Sequence, residues 1–365
     1  MKKTIIALAT AAVFATSANA AAVYEKDGTK LEIGGSVRVL LSKESDKRGD
    51  LNNDGSRLEV KANHDLGNGL SALGALEVRF DDEESSTSFG NPTTNKLYAG
   101  LAYEGLGTVT FGKQATNGDD VQLNDNAYAW GGNNNLLDSA DKSIKFRSAE
   151  MHGFSFGLDY LFGNAEKKNL PEDEAELGYK YGYQTALFYT RALAQDLTLN
   201  LAAGYGVNKY DFTTTKTAVK DTNWRTSAQL VYGPVTFGAE YGQEVAKDGK
   251  DKKSTTQTLL VSASYQILEP SKVYVQWKNE RAKTHLSYYD EEDNKILPNE
   301  KTTWNGFIVG ADYKLHKNVI TYVEYAHERA TYKSNMVLVN KPNEVVSKNE
   351  KATDNKVGVG LRVFF

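Results

Sequence analysis

Lys30-Leu31-Glu32-Ile33-Gly34-Gly35-Ser36-Val37-Arg38-Val39-Leu40-Leu41 decides how this chain is read. Leu31, Ile33, Val37, Val39 and Leu41 share one parity, while Lys30, Glu32, Ser36 and Arg38 share the other. Successive side chains of a strand point to opposite faces, so the segment has one greasy face and one charged face. The same code follows in Ser56–Asp65, where Leu58, Val60 and Ala62 oppose Arg57, Glu59, Lys61 and Asn63. It recurs in Leu70–Phe80, where Leu76, Val78 and Phe80 oppose Glu77 and Arg79. Leu66-Gly67-Asn68-Gly69 between these two reads as a tight hairpin.

Thirteen further segments repeat the alternation and bring the expected strands to sixteen: Asn95–Glu104, Thr108–Gln114, Ser143–Glu150, Phe154–Phe162, Gly178–Arg191, Leu197–Tyr210, Thr222–Tyr232, Val235–Val245, Thr255–Ile267, Lys272–Arg281, Thr303–Leu315, Val319–Ala330 and Thr353–Phe365. Their connections alternate in length. Short ones include Gly105–Gly107, His152–Gly153, Gly233–Pro234 and His316–Asn318. Long polar ones cover Ser42–Gly55, Asp81–Thr94, Ala115–Lys142, Gly163–Leu177, Asp211–Asp221, Ala246–Ser254, Ala282–Thr302 and Thr331–Ala352. Short turns at one end and long loops at the other are the rhythm of an up-and-down β-barrel in a membrane. Hydrocarbon offers no water to an open sheet edge, so an even number of antiparallel strands has to close on itself. The chain ends on a strand, with Val357, Val359, Leu361, Val363 and Phe365 on alternate positions, as closure requires.

Composition supports this all-β reading. Residues 1–20 have the form of a cleavable export signal: Lys2 and Lys3 at the start, an apolar stretch from Ile5 to Ala15, and Ala18-Asn19-Ala20 at the cleavage position. The expected mature barrel domain is then 21–365. Loss of two lysines leaves 41 basic against 47 acidic residues and moves the net charge from -4 to -6, which disfavours a nucleic-acid binder. There is no cysteine, so disulfide frameworks and thiolate metal sites are excluded. After Ala20 no apolar run is long enough for a transmembrane helix. A mean hydropathy of -0.52 fits a barrel with a wet lumen and polar loops, and 21 tyrosines with 14 phenylalanines suit aromatic girdles at the membrane interfaces.

Val23-Tyr24-Glu25-Lys26-Asp27-Gly28-Thr29-Lys30-Leu31, Gly55-Ser56-Arg57-Leu58, His64-Asp65-Leu66-Gly67, Leu97-Tyr98-Ala99-Gly100-Leu101, Tyr103-Glu104-Gly105-Leu106-Gly107, Phe111-Gly112-Lys113-Gln114 and Gly118-Asp119-Asp120 resemble the general diffusion porins of Gram-negative outer membranes. The phrasing is most similar to the major porins of Pasteurellaceae, and the resemblance covers essentially the whole chain. It implies a homotrimer of sixteen-stranded barrels with the third long loop folded inward as a constriction. It also implies that Phe365 is the signal read by the barrel-assembly machinery after delivery by periplasmic chaperones. The remaining implied partners are membrane lipid, lipopolysaccharide and the small hydrophilic solutes that pass through.

A pore needs charge placed across it rather than a catalytic pair, because a narrow aqueous constriction focuses the field. Parity places Arg38, Arg57, Lys61, Arg79, Lys96, Lys145 and Arg147 on the polar wall. The loop Ala115–Lys142 carries Asp119, Asp120, Asp125, Asp138 and Asp141. Acids on an inward loop facing wall cations would set up a transverse field. Enterobacterial relatives have Pro-Glu-Phe-Gly-Gly at the loop tip, where this chain has Tyr128-Ala129-Trp130-Gly131-Gly132, so ion preference is not carried over. Lys113 shares parity with Phe111, which places it at a rim unless a bulge intervenes.

Other motifs weigh less. Asp50, Asn52 and Asp54 imitate a calcium loop, but its twelfth position is Lys61 and no helices flank it. Asp81-Asp82-Glu83-Glu84 and Lys247–Lys253 read as solvated loop charges. The five histidines, His64, His152, His285, His316 and His327, show no metal spacing, so neither metal nor cofactor is expected. An enzyme would need a histidine held by a carboxylate or amide and aimed at a nucleophile. The nearest pair, His327 with Glu324, lies on opposite strand faces, so no enzyme is expected. A substrate-specific channel, or a barrel acting mainly as adhesin or surface receptor, remains as the alternative to passive diffusion.

Overall fold

A computed structural model describes residues 21–80, 89–163, 177–212, 218–248, 251–284, 289–290, 295–296, 300–338 and 341–365. The expected signal over 1–20, the acidic run Asp81–Glu84 and His285 lie outside the described residues. Sixteen long strands form the wall: β1 (Thr29–Glu44), β2 (Arg57–Gly67), β3 (Leu70–Arg79), β4 (Thr93–Tyr103), β5 (Gly107–Ala115), β6 (Ser139–Ser148), β7 (Phe154–Phe162) and β8 (Leu177–Ala194) make the first half. The second half is β9 (Leu197–Phe212), β10 (Ala218–Tyr232), β11 (Val235–Asp248), β12 (Asp251–Leu268), β13 (Ser271–Thr284), β14 (Glu300–His316), β15 (Val319–Leu338) and β16 (Lys341–Phe364).

Each wall strand pairs antiparallel with its neighbour in sequence, and β1 pairs with β16 from Ser36↔Phe364 to Glu44↔Lys356. Gly35 N donates to Phe365 O at 2.9 Å and Phe365 N to Gly35 O at 3.1 Å, which closes the barrel. Where β16 stops, the short strand Ala21–Lys26 takes over the same edge of β1, from Lys26↔Thr29 to Ala21↔Ile33. The edge of β1 that would otherwise lie open is thereby paired along its length.

Packing is inverted relative to a water-soluble sheet protein. Val37, Leu41, Leu97, Leu187 and Phe237 are exposed on the outer face, whereas Glu77, Arg225, Glu240 and Glu324 are buried inside. This is the outcome of the period-two code with lipid outside and a polar interior. Tyr103, Phe154, Tyr232, Tyr265, Tyr313 and Phe365 are exposed and each sits close to a short turn or the chain end. They form a girdle at that end, where a ring meets both lipid and water. The β2–β3 turn uses Asn68 (φ 53°) and Gly69 (φ 79°), the left-handed pair that a two-residue hairpin demands.

The strands outrun the sequence expectation at the long-loop end. β15 continues past Ala330 to Leu338, paired with β16 from Ala330↔Ala352 to Val337↔Val345, so Thr331–Ala352 is mostly hairpin rather than loop. Asp211–Asp221 and Ala246–Ser254 shorten in the same way, and Ser42–Gly55 contains a short strand, Asp50–Asn53, paired to β1. Beyond the membrane both faces meet water, so the apolar alternation disappears while backbone pairing persists. At Lys113 a bulge does intervene: the β5–β6 register shifts between Gly112 and Gln114, and Lys113 Nζ pairs with Asp141 Oδ1 at 2.8 Å.

Candidate functional site

The third long connection, residues 116–138, is held by lumen-facing side chains of many strands. At its base Thr116 N donates to Asp138 O at 2.9 Å. Three buried wall carboxylates then accept its backbone. Asn117 N reaches Asp159 Oδ2 on β7 at 3.0 Å, and Asn124 N reaches Glu240 Oε1 on β11 at 2.6 Å. Tyr128 N and, at 2.9 Å, Ala129 N donate to Glu324 on β15. Neutral amides complete the seat: Gln184 Nε2 donates to Leu137 O at 2.9 Å, Gln229 Nε2 to Leu123 O at 2.6 Å, and Asn126 N to Gln276 Oε1 at 3.0 Å. Val121 and Leu136 pack on Ala186 and Ala202, and Ala127, Tyr128 and Trp130 pack against Tyr274, Ile308 and Ala326.

Glycines of the wall provide sockets for loop side chains. A Cβ on Gly157 would collide with Asn117, one on Gly238 with Asn124, and one on Gly242 with Asn135. One on Gly204 would stand 2.5 Å from Leu136 Cδ1, and one on Gly358 2.8 Å from Trp130. Glu240 is itself paired with Arg225, both essentially without solvent exposure. Arg225 Nη1 donates to Asn133 O at 2.5 Å, so this ion pair is satisfied by the loop on the lumen side. Tyr128 Oη donates to Asp312 Oδ2 at 2.8 Å, and its ring stacks on Tyr322 with centroids 4.5 Å apart.

A different arrangement occupies β1 to β4. Arg79 Nε and Lys96 Nζ stand 2.8 and 2.7 Å from Glu77, and Arg57 Nη1 stands 3.6 Å from it. Lys61 Nζ pairs with Glu59 Oε2 at 3.1 Å. Arg38 donates through Nε to Ser36 Oγ at 2.8 Å. Five of the seven expected wall cations, Arg38, Arg57, Lys61, Arg79 and Lys96, therefore gather here. The other two lie under the loop: Lys145 Nζ donates to Ala115 O at 3.0 Å, and Arg147 Nη1 reaches Asp120 Oδ2 and Asn117 Oδ1, both at 3.1 Å. Phe365 sits at the closure seam against Gly35.

Of the expected loop acids, Asp119 and Asp125 are exposed, and Asp120 is half-exposed beside Arg147. Asp125 also accepts Gly132 N at 2.6 Å, which binds the loop tip to itself. Surrounding protein pushes the Asp119 carboxyl up to about 6, with Asp120 and Asp138 adding to the effect and Lys145 and Lys96 opposing it. Sequence reading assigned no role to Glu240 or Arg362, and it raised Asp54 only within an imitation of a calcium loop and Glu324 only as a partner weighed for His327. Arg362 Nη2 reaches Asp54 Oδ2 at 2.6 Å and Tyr128 O at 2.8 Å, so Asp54 serves an arginine rather than a calcium loop. A signal was present: Gly238-Glu240-Gly242 and Gly358-Gly360-Arg362 put glycines beside charge on the lumen parity, which marks where another segment approaches.

A family model described as Gram-negative porin matches residues 7–332. A major outer membrane protein of Pasteurella multocida is 43% identical over 302 residues, covering 78% of this chain and 84% of that protein. An anion-selective porin from Comamonas acidovorans shares the fold with a TM-score of 0.69 at 16% identity, over 92% of this chain and 100% of that one. The trimer form of in-vitro folded OmpT from Vibrio cholerae gives a TM-score of 0.64 at 19% identity, over 93% and 100% of the two chains.

Proposed function

This chain belongs to the Gram-negative porin family, and from that premise we propose that its selectivity arises in the gap between loop 116–138 and the cations of β1 to β4. The protein is an outer-membrane general diffusion porin, a passive water-filled channel for ions and small hydrophilic solutes. The observation that carries the finer reading is the division of labour around the lumen. Hydrogen bonds from the loop run to strands from β6 round to β16, while Arg57, Arg79 and Lys96 keep their ion pairs to wall carboxylates on the other side. Exposed Asp119 and Asp125 then face a surplus of positive charge, and a field across a narrow aqueous passage favours dipolar solutes over apolar ones.

The working form is read as a homotrimer of mature chains that have lost residues 1–20, and Phe365 as the assembly signal. The trimer form of the Vibrio neighbour and the composition of the leader support these readings. No catalytic role is assigned. His327 faces outward with Nδ1 2.8 Å from Asn355 Oδ1, and Glu324 is buried within the lumen wall, so the sheet divides that pair.

Planar-bilayer recordings in a salt gradient test the constriction. Arg57→Ala and Lys96→Ala should each shift the reversal potential toward cations; unchanged potentials would remove both residues from the selective gap. Folded protein that never opens would overturn the channel reading altogether.

A further inference from the structure

Toward the long-loop end, on the wall away from β1 to β4, three carboxylates form an oblique file. Asp221 on β10, Glu244 on β11 and Glu280 on β13 have the inward parity of Arg225, Glu240 and Gln276 on the same strands. Glu244 is registered opposite Asn223, which makes Asp221 its diagonal neighbour, with backbones about 7–8 Å apart. Glu244 and Glu280 flank β12, opposite Thr256 and Thr258, with backbones on the order of 12 Å apart. All three acids are half-buried, and none makes an ion pair or accepts a hydrogen bond among the described residues. Lys278, two residues before Glu280 on the same face, is paired instead with Glu328 at 2.9 Å.

Two further observations distinguish this file from a solvated face. Thr258 shares the inward face with both glutamates, directly opposite Glu280; it is only 3% exposed, and its hydroxyl has no hydrogen-bond partner. That oxygen can accept from an ammonium. An aromatic ring also stands at each end of the file. Trp304 on β14 is opposite Glu280, inward by the parity of Ile308, and 41% exposed. Tyr210 on β9 lies two residues beyond Asn208, the partner of Asp221, on the same face.

We propose that this file binds a linear aliphatic polyammonium, a polyamine, on the long-loop side of the constriction. The proposal rests on the channel reading above and adds a ligand to it. A metal ion needs oxygens that converge on one point, and no such group of acids occurs among the described residues. Carboxylates spread from β10 to β13 suit a flexible chain instead, with one ammonium at each acid and methylenes between. Once the first ammonium is seated, the others bind at high effective concentration, so three modest contacts add up to a site. The faces of Trp304 and Tyr210 attract the same cations through their ring quadrupoles. An acidic wall that served only to draw in potassium would need neither ring. A polyamine held there would stand in the aqueous passage and obstruct the current of smaller ions.

The test is current through the intact protein in planar bilayers, with spermidine titrated into the long-loop side at neutral pH and constant ionic strength in potassium chloride. Conductance is expected to fall along a saturating curve. Glu244→Gln should raise the half-saturating concentration about tenfold, a loss of about 1.4 kcal/mol. Trp304→Leu changes no charge and should raise it about threefold while leaving the reversal potential in plain potassium chloride unchanged. Glu104→Gln, at the short turn between β4 and β5, should leave the titration as it was. Magnesium chloride in place of spermidine should give no saturating curve. Saturation by magnesium at the same concentrations would assign the acids to simple divalent ions and overturn the polyamine site. A linear decline with spermidine, or curves unaltered in both Glu244→Gln and Trp304→Leu, also overturns it, while normal openings leave the channel reading intact. Absence of openings would count against the channel reading instead.

Discussion

The two sides of the lumen use the same strand code to opposite ends. On β1 to β4 the inward charges are cations grouped around Glu59 and Glu77. From β7 round to β15 the inward carboxylates Asp159, Glu240 and Glu324 are spent on loop amides. An inward charge thus finds its partner in the loop or in the wall according to whether the loop lies over it. Covered acids act as acceptors in a low-dielectric seam, whereas the cations of β1 to β4 are paired with wall carboxylates instead.

The contrast is broken most severely at Glu240. Glu240→Ala leaves Arg225 buried without its partner and Asn124 N without its acceptor, and should cost about 3–5 kcal/mol of barrel stability, read from urea unfolding in lipid vesicles. On the open side Arg79→Ala should cost far less, since that side chain is partly exposed and its partner Glu77 keeps Lys96.

Sockets provide the next test. Gly238→Ala places a methyl against Asn124 and should cost about 1–3 kcal/mol while altering single-channel conductance. Adding Asn124→Gly should restore the conductance if the socket positions the loop. Gly74→Ala is the control, because its Cβ would stand at an ordinary 3.6 Å from Tyr98 O.

The smallest expected effect comes from Asp119. Its carboxyl takes up a proton near pH 6 rather than at the ordinary carboxylate value, so acidification through that range removes one negative charge from the loop. Cation preference should decline between about pH 7 and about pH 5, and Asp119→Asn should abolish that step in the reversal potential.

Alternating parity and alternating loop length were enough to read sixteen strands, their order, the closed barrel and the lumen side of Arg38, Arg57, Arg79 and Lys96 from residue order alone. The reason is that each strand meets the same two media, lipid and water, and records them locally at a period of two. Strand ends above the membrane were not legible, because two wet faces leave no alternation to read. Nor was the grouping of the cations. Lys145 and Arg147 carry the same parity signature as Arg57, yet they serve the start of the loop. That division depends on contacts such as Asn124 with Glu240 and Tyr128 with Glu324, more than a hundred residues apart in sequence. Only barrel closure brings those side chains around one lumen, so the tertiary structure alone decided which wall the loop covers and which it leaves uncovered.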